Sequence, residues 1–237
     1  MSNLILVRHG QSVWNLQNRF TGWVDVELTK NGELEAIKAG NLIKDLGIKI
    51  DLYYSSIQLR AKNTLKLIQE ILGNNKLSES AWELNERHYG ALTGLNKDEM
   101  KAKLGEKKVH QFRRSWDLKP EPLDKKNPYH PNNISIYKDI PRENIPDTES
   151  LKDTYERVIK FYNNEIEKKM VKNNILIAAH GNSIRALCKH LFKLDNNQIT
   201  KLEIPTGNPL IINLNNEKKI NECKYLDPDR AKDLLIF

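Results

Sequence analysis

Cysteine is scarce in this chain of 237 residues, where Cys188 and Cys223 stand alone. Without CxxC spacing they suggest neither a disulfide framework nor a zinc ribbon, and reduced, structural thiols are expected. Long apolar runs are missing as well. No stretch approaches the ~20 residues that a bilayer-spanning helix needs, and the amino terminus runs almost directly into a strand, with no basic region and long apolar core of a secretory signal. A cytoplasmic protein without membrane association is the expectation. Internal repeats and composition breaks are also lacking, so residues 1–237 read as a single α/β domain, long enough to bury a substantial core. Lys and Arg outnumber Asp and Glu by 38 to 31, a formal charge of +7. That balance can suit nucleic acid, a membrane surface or small anions. The lysines are scattered, however, with no long basic run and no basic patch interleaved with aromatics, so no nucleic-acid partner is expected.

What is present starts at Leu4 to Asn15, LILVRHGQSVWN. The branched run Leu4, Ile5, Leu6 and Val7 has the length and type of a buried parallel strand, and it stops at Arg8, His9 and Gly10. Gly10 allows a sharp turn and a close approach to a ligand, while Gln11, Ser12 and Asn15 add donors. An imidazole beside a permanent guanidinium suits a phosphate. A lone Arg-His-Gly is a weak signal, but a second strand, Asn174 to Ala179, closes in the same way on His180, Gly181, Asn182 and Ser183. Two such strand ends side by side would face two imidazoles into one crevice, where open α/β sheets hold their ligands.

Further along, the loop Asn18 to Trp23 offers the Thr21 hydroxyl and backbone amides to an anion. Thr29 is a plausible N-cap for a helix over about 30–46 with Leu34, Ile37, Leu42 and Leu46 on its apolar face, ended by Gly47. A strand over 50–54 leads through Ser55 and Ser56 into a helix with Ala61, Leu65, Ile68 and Leu72 on one face before Gly73. Arg60 lies in its first turn. Arg on a helix is usually solvated, and the neighbouring strand end is what makes this one a candidate ligand. Leu84 to Gly90 packs ionisable and aromatic groups together, and Glu86 there is either a surface carboxylate or an acid/base group. Lys97, Arg113 and Arg114 fall in one or two short helices over 97–116. From Asp117 to Asp147 periodicity fades and prolines concentrate, which suits an ordered excursion covering the site. Thr148 or Ser150 caps a long helix burying Leu151, Tyr155, Val158, Ile159, Tyr162 and Ile166. After the second His-Gly, Ser183 opens a helix through Leu191 with Arg185 on its first turns, and strands follow over 210–214 and around 224–226.

LVRHGQSVWN, RFTGW, LNERHYGALTGLNK, RRSWD and AAHGNSIRAL together resemble the histidine phosphatase superfamily and, within it, the 2,3-bisphosphoglycerate-dependent phosphoglycerate mutases, over nearly the whole chain. The resemblance implies a mostly parallel central sheet with helices on both faces, a three-layer α/β/α fold, with a site-covering insertion at about 95–147. It implies that His9 becomes phosphorylated, that Glu86 moves a proton, and that His180, Arg8 and Arg60 stabilise the phosphoryl group in flight. Gly10, Gln11, Ser12, Asn15, Thr21, Gly22, Arg87, His88, Tyr89, Lys97, Arg113, Arg114, Gly181 and Asn182 fall where that family binds phosphates and carboxylate. Small phosphorylated three-carbon acids are then the ligands, 2,3-bisphosphoglycerate the priming phosphate donor, and a homodimer or homotetramer the assembly. No metal is expected, since neither His-Gly turn has a cluster of metal ligands beside it. The rival activity is a phosphatase using the same phosphohistidine. The rival class is a non-catalytic binding module, against which both histidines and Glu86 argue. A short apolar tail, Ala231 to Phe237, departs from the longer tail of many relatives and leaves the balance of mutase and phosphatase activity open.

Overall fold

The computed structural model describes residues 2–215, 217 and 219–231; the tail from Lys232 to Phe237 lies outside them. Among the described residues, six strands form one sheet: β1 (Ser2–Arg8), β2 (Leu52–Ser56), β3 (Glu79–Ala81), β4 (Ile175–Ala179), β5 (Leu210–Leu214) and β6 (Ile220–Tyr225), in the order β3-β2-β4-β1-β5-β6. The β3-β2, β2-β4 and β4-β1 pairings are parallel, and β5 and β6 add an antiparallel edge. The fold is therefore the expected mostly parallel sheet between two helical layers.

Alternation along the strands builds both layers. Leu4, Leu6, Tyr54, Ile175 and Ile177 face α6 (Leu151–Phe161) and α7 (Gly181–Leu191), whereas Ile5, Val7, Tyr53, Leu176 and Ala178 face α2 (Lys30–Lys44) and α3 (Leu59–Ile71). Because both faces of the sheet are covered, its strands read as continuous apolar runs. That is why β1 and β4 are legible in the sequence.

Several boundaries differ from expectation. Leu34 of α2 is 57% exposed, and the face that packs on α3 is instead Ala36, Ala39, Gly40 and Ile43. A Cβ at Gly40 would come within 2.9 Å of the Ile71 side chain, so close helix packing selects small residues over the leucines. Strand β2 runs two residues further than expected, through Ser55 and Ser56, because the parallel ladders to Ala178 of β4 and Ala81 of β3 hold them. Helix α7 begins at Gly181 with His180 as its cap residue, and the Ser183 hydroxyl accepts from the His180 amide rather than opening the helix. The long helix is α6 followed by a π-turn over Tyr162–Ile166, which still buries both end residues. Strand β3 and helix α8 (Asn196–Lys201) have no counterpart in the expected elements.

Residues 97–116 form α4 (Lys97–Leu104) and α5 (Glu106–Arg114), parted at Gly105 with φ +85°. Met100 and Val109 pack on Phe20. The proline-rich stretch that follows is a series of short 3-10 turns, and Tyr137 and Ile140 within it bury against Trp23.

Candidate active site

The carboxyl ends of β1 and β4 are hydrogen-bonded neighbours, Arg8 opposite Ala179, and the His9 amide donates to the Ala179 carbonyl at 3.0 Å. This adjacency brings two imidazoles from distant parts of the sequence together. The His9 and His180 rings lie 5.0 Å apart between centroids at an interplanar angle of 61°. They are not equivalent, however. His9 lines a cavity of about 150 Å³, while His180 is fully buried against it, with no hydrogen-bond partner at Nδ1 among the described residues. The two strand ends thus bring their imidazoles into contact, His180 edge-on to His9.

The surroundings fix the His9 ring. Its Nδ1 is 2.7 Å from the Gly10 carbonyl, which can only accept, so Nδ1 carries the proton and Nε2 keeps the lone pair. Burial, then the charges of Arg60 and Arg8, hold its pKa well below that of a free histidine. A neutral, nucleophilic imidazole results. Burial, Arg60 and His9 depress His180 in the same way, and its Nε2 is 2.7 Å from the Ser56 hydroxyl.

Seven cationic side chains line the cavity, Arg8, Arg19, Arg60, Lys97, Arg113, Arg114 and Arg185, against the carboxylates Glu86 and Glu203. The protein holds the guanidinium groups by their edges. Arg8 donates to the Ile204 carbonyl at 2.7 Å, and Arg60 to the Val24 and Gly22 carbonyls at 2.9 Å each. Lys97 is brought down to about 8, chiefly by burial. For Tyr89, burial pushes the phenol up, but the Arg87 and Arg113 charges outweigh it and the net shift is downward. Such an excess of fixed positive charge is built for a polyanion.

Glu86 is held on one side only. Its Oε1 accepts from the amides of Arg87 at 2.8 Å and Asn182 at 3.2 Å. The loop carrying it is clamped by Arg157, which forms a two-point ion pair with Glu149 at 2.7 and 2.9 Å and donates to the carbonyls of Glu83, Asn85 and Glu86.

Of the residues singled out from the sequence, Arg8, His9, Asn15, Thr21, Gly22, Arg60, Glu86, Tyr89, Lys97, Arg113, Arg114, Gly181 and Asn182 share the cavity wall. Others have different work. Gln11 is turned toward α2, its amide donating to Glu35 at 2.7 Å and its side chain accepting from Thr29 at 2.9 Å. Ser12 caps α1 (Val13–Leu16) in a reciprocal box with Asn15. The close approach made by Gly10 is to Gly32, whose carbonyl oxygen would lie 2.1 Å from an added Cβ. Arg87 is buried over the Tyr89 ring, 4.7 Å from its centroid. His88 is buried too, accepts from the Gly90 amide at 3.0 Å, and is brought down to about 3, mainly by burial.

Arg19, Arg185, Glu203 and Ile204 join the wall without having been singled out as ligands. Arg185 carried a usable signal: it sits one turn after Asn182 and donates to the Asn182 side chain at 2.9 Å. Glu203, the ion-pair partner of Arg114, is brought in by the fold alone. Among the described residues, no group of three or more His, Cys, Asp or Glu side chains could hold a metal ion, and no helix is long and apolar enough to cross a membrane.

These features agree with the comparisons to known proteins. The chain belongs to the histidine phosphatase superfamily (branch 1), whose model matches residues 4–129 and 124–223. A 2,3-bisphosphoglycerate-dependent phosphoglycerate mutase of Pelagibacter ubique is 70% identical to it over 238 aligned positions, covering 100% of both chains. Mutases of the same name from Maricaulis maris and Caulobacter sp. are 46% and 48% identical, each covering 99% of this chain and 98% of the relative. Within the superfamily the chain therefore falls in the family of 2,3-bisphosphoglycerate-dependent phosphoglycerate mutases. Among solved structures, Bacillus stearothermophilus YhfR superposes with a TM-score of 0.70 at 20% identity, covering 93% of this chain and 95% of that one. A mycobacterial glucosyl-3-phosphoglycerate phosphatase superposes at 0.69 and 22%, covering 95% and 97%. These two likenesses concern the fold.

Proposed function

We propose that the chain is a phosphoglycerate mutase, an isomerase interconverting 2-phosphoglycerate and 3-phosphoglycerate in glycolysis and gluconeogenesis through a phosphohistidine enzyme. The observation that carries this reading is His9, a neutral imidazole whose Nδ1 proton is held by Gly10 and whose ring sits in a cavity walled by cations. The relative of that name that is 70% identical over the whole of both chains supports the choice of substrate.

In this reading His9 Nε2 attacks a phosphoryl group in line and holds it covalently, which splits an awkward migration into two transfers. Phosphoryl transfer spreads charge over equatorial oxygens, so fixed donors do most of the catalysis. Arg8, Arg60 and His180 meet that charge, and Asn15 adds a donor. Glu86 Oε2 takes the proton of the attacking hydroxyl and later returns it. Lys97, Arg113, Arg114, Tyr89 and Asn182 hold the remaining phosphate and the carboxylate, with the backbone of Thr21 and Gly22 beside them. When bound, 2,3-bisphosphoglycerate supplies the priming phosphoryl group. The donor set fits it, since seven cations against two carboxylates suit a ligand with two phosphates and a carboxylate. Residues 95–147 act as the cover that keeps water from the phosphohistidine. Cytoplasmic location and a homodimeric or homotetrameric assembly belong to the same reading.

The test is mass spectrometry of the protein incubated with 2,3-bisphosphoglycerate, where one acid-labile phosphate on His9 is expected. A coupled assay should then show 2-phosphoglycerate formation that depends on the bisphosphate. Dominant release of inorganic phosphate from the monophosphates would make the chain a phosphatase instead.

A further inference from the structure

Gln58 is absent from the roles assigned so far, although it is wholly buried in the middle of the site's scaffold. It sits at the junction of β2 and α3 and its amide is fully engaged. Oε1 accepts from Arg60 Nη2 at 3.0 Å and from the Glu86 backbone amide at 3.1 Å, while Nε2 donates to the Gly22 carbonyl at 3.1 Å and to the Tyr137 hydroxyl at 2.9 Å. The chemistry of the partners fixes which end is which. Arg60 and the Glu86 amide can only donate, and the Gly22 carbonyl can only accept. The Tyr137 hydroxyl gives its own proton to the Trp23 carbonyl and so accepts from Gln58. Burial pushes the Tyr137 phenol up, which keeps that proton in place.

One primary amide thus ties together a phosphate-facing guanidinium, the backbone of the proton-transfer carboxylate, the loop at Gly22 and a tyrosine of the covering segment. These four groups come from four separate parts of the sequence. We infer that Gln58 is a positioning residue for the phosphoryl-transfer step, fixing Arg60 relative to Glu86 and linking both to the anchorage of residues 95–147 through Tyr137. The inference rests on the phosphohistidine reading above. Its physical basis is that two donors sharing one oxygen are held at a set separation, and misplacement of catalytic groups by an ångström costs rate rather than affinity. An apolar side chain of the same size would leave the Glu86 amide without a partner and Arg60 with one anchor fewer.

The experiment compares the unaltered protein with Gln58→Leu, Gln58→Glu and Tyr137→Phe, following phosphoenzyme formation from 2,3-bisphosphoglycerate, kcat and KM for the mutase reaction, and thermal unfolding. Gln58→Leu should lower kcat and the phosphorylation rate roughly ten- to a hundredfold with KM changed by less than about threefold. Gln58→Glu keeps an oxygen for Arg60 and the Glu86 amide but adds a competing anion beside Arg60, so it should recover part of kcat and raise KM. Tyr137→Phe should leave phosphorylation closer to normal and increase the hydrolysed fraction of the phosphoenzyme. A folded Gln58→Leu protein with phosphorylation and kcat within twofold of normal overturns the inference, as does a Gln58→Glu protein with no recovery and an unchanged KM. Should Gln58→Leu fail to fold, the Gln58→Glu pair of constants decides alone. Absence of mutase turnover in the unaltered protein would sink the functional reading, and the phosphorylation rates would still decide the role of Gln58.

Discussion

The two strand-end turns, His9-Gly10 after β1 and His180-Gly181 after β4, are nearly alike in sequence and differ in what the fold does with them. At the first, the imidazole opens onto the cavity and the glycine is wedged against Gly32. At the second, the imidazole is fully buried edge-on to its neighbour with Nε2 on the Ser56 hydroxyl, whereas the glycine has room: an added Cβ would find its nearest atom, Arg8 Nε, at 3.6 Å. The pair teaches that a repeated motif can divide labour. In the proposed reaction one turn supplies the reacting nitrogen, and the other supplies a supporting ring and a helix start.

Replacing each histidine by alanine should split the pair most widely. His9→Ala should abolish phosphoenzyme formation and cut turnover by roughly 10⁴-fold or more, as expected for a covalent nucleophile. His180→Ala should leave phosphorylation detectable but about 10² to 10³-fold slower, the loss of one stabilising donor. Equal loss in quench-flow experiments on the two proteins would mean that their roles are not distinct.

Exchanging the glycines should reverse the order of sensitivity on the side of stability. Gly10→Ala forces a methyl against the Gly32 backbone and should cost about 3 kcal/mol in urea unfolding. Gly181→Ala, at the first turn of α7 with space around it, should stay within about 1 kcal/mol of the unaltered protein. Comparable midpoints for both would contradict the wedge at Gly10.

The smallest effect is one of pH. Both imidazoles have folded pKa values depressed below the 6.5 of a free histidine. As pH falls through the unfolded value, the unfolded chain takes up protons that the folded chain refuses, so stability present above about pH 6.5 drains away below it. Unfolding midpoints measured between pH 8 and 5 should fall on the acid side, and His180→Asn should flatten part of that slope. An unchanged slope in His180→Asn would show that the buried ring does not resist protonation.

Much of the site was legible because chemistry and local pattern coincide there. Arg8-His9-Gly10 and His180-Gly181 stand at the ends of apolar runs, and Glu86, Lys97, Arg113 and Arg114 lie in stretches with an unusual density of ionisable groups. Residues whose role is to hold others carry no such mark. Gln58, Ser56, Arg157 and Glu149 look like ordinary polar positions on a helix or loop, and only their partners, drawn from tens of residues away, reveal them. Leu34 misled in the other direction, because apolar periodicity cannot tell a core-facing leucine from one left outside by close Ala and Gly packing on α3.

The sequence by itself determined the buried strands β1 and β4, the residue types that meet a phosphate, and the family to which the chain belongs, since hydrophobic runs and reactive side chains are local properties. Only the tertiary structure decided that the His9 and His180 rings meet edge-on, and that Gly10 packs closely against Gly32. It alone decided, too, that one buried amide joins Arg60 to Glu86. Those facts depend on which strands pair and which loops meet, and such contacts between distant segments leave no periodic trace in the chain.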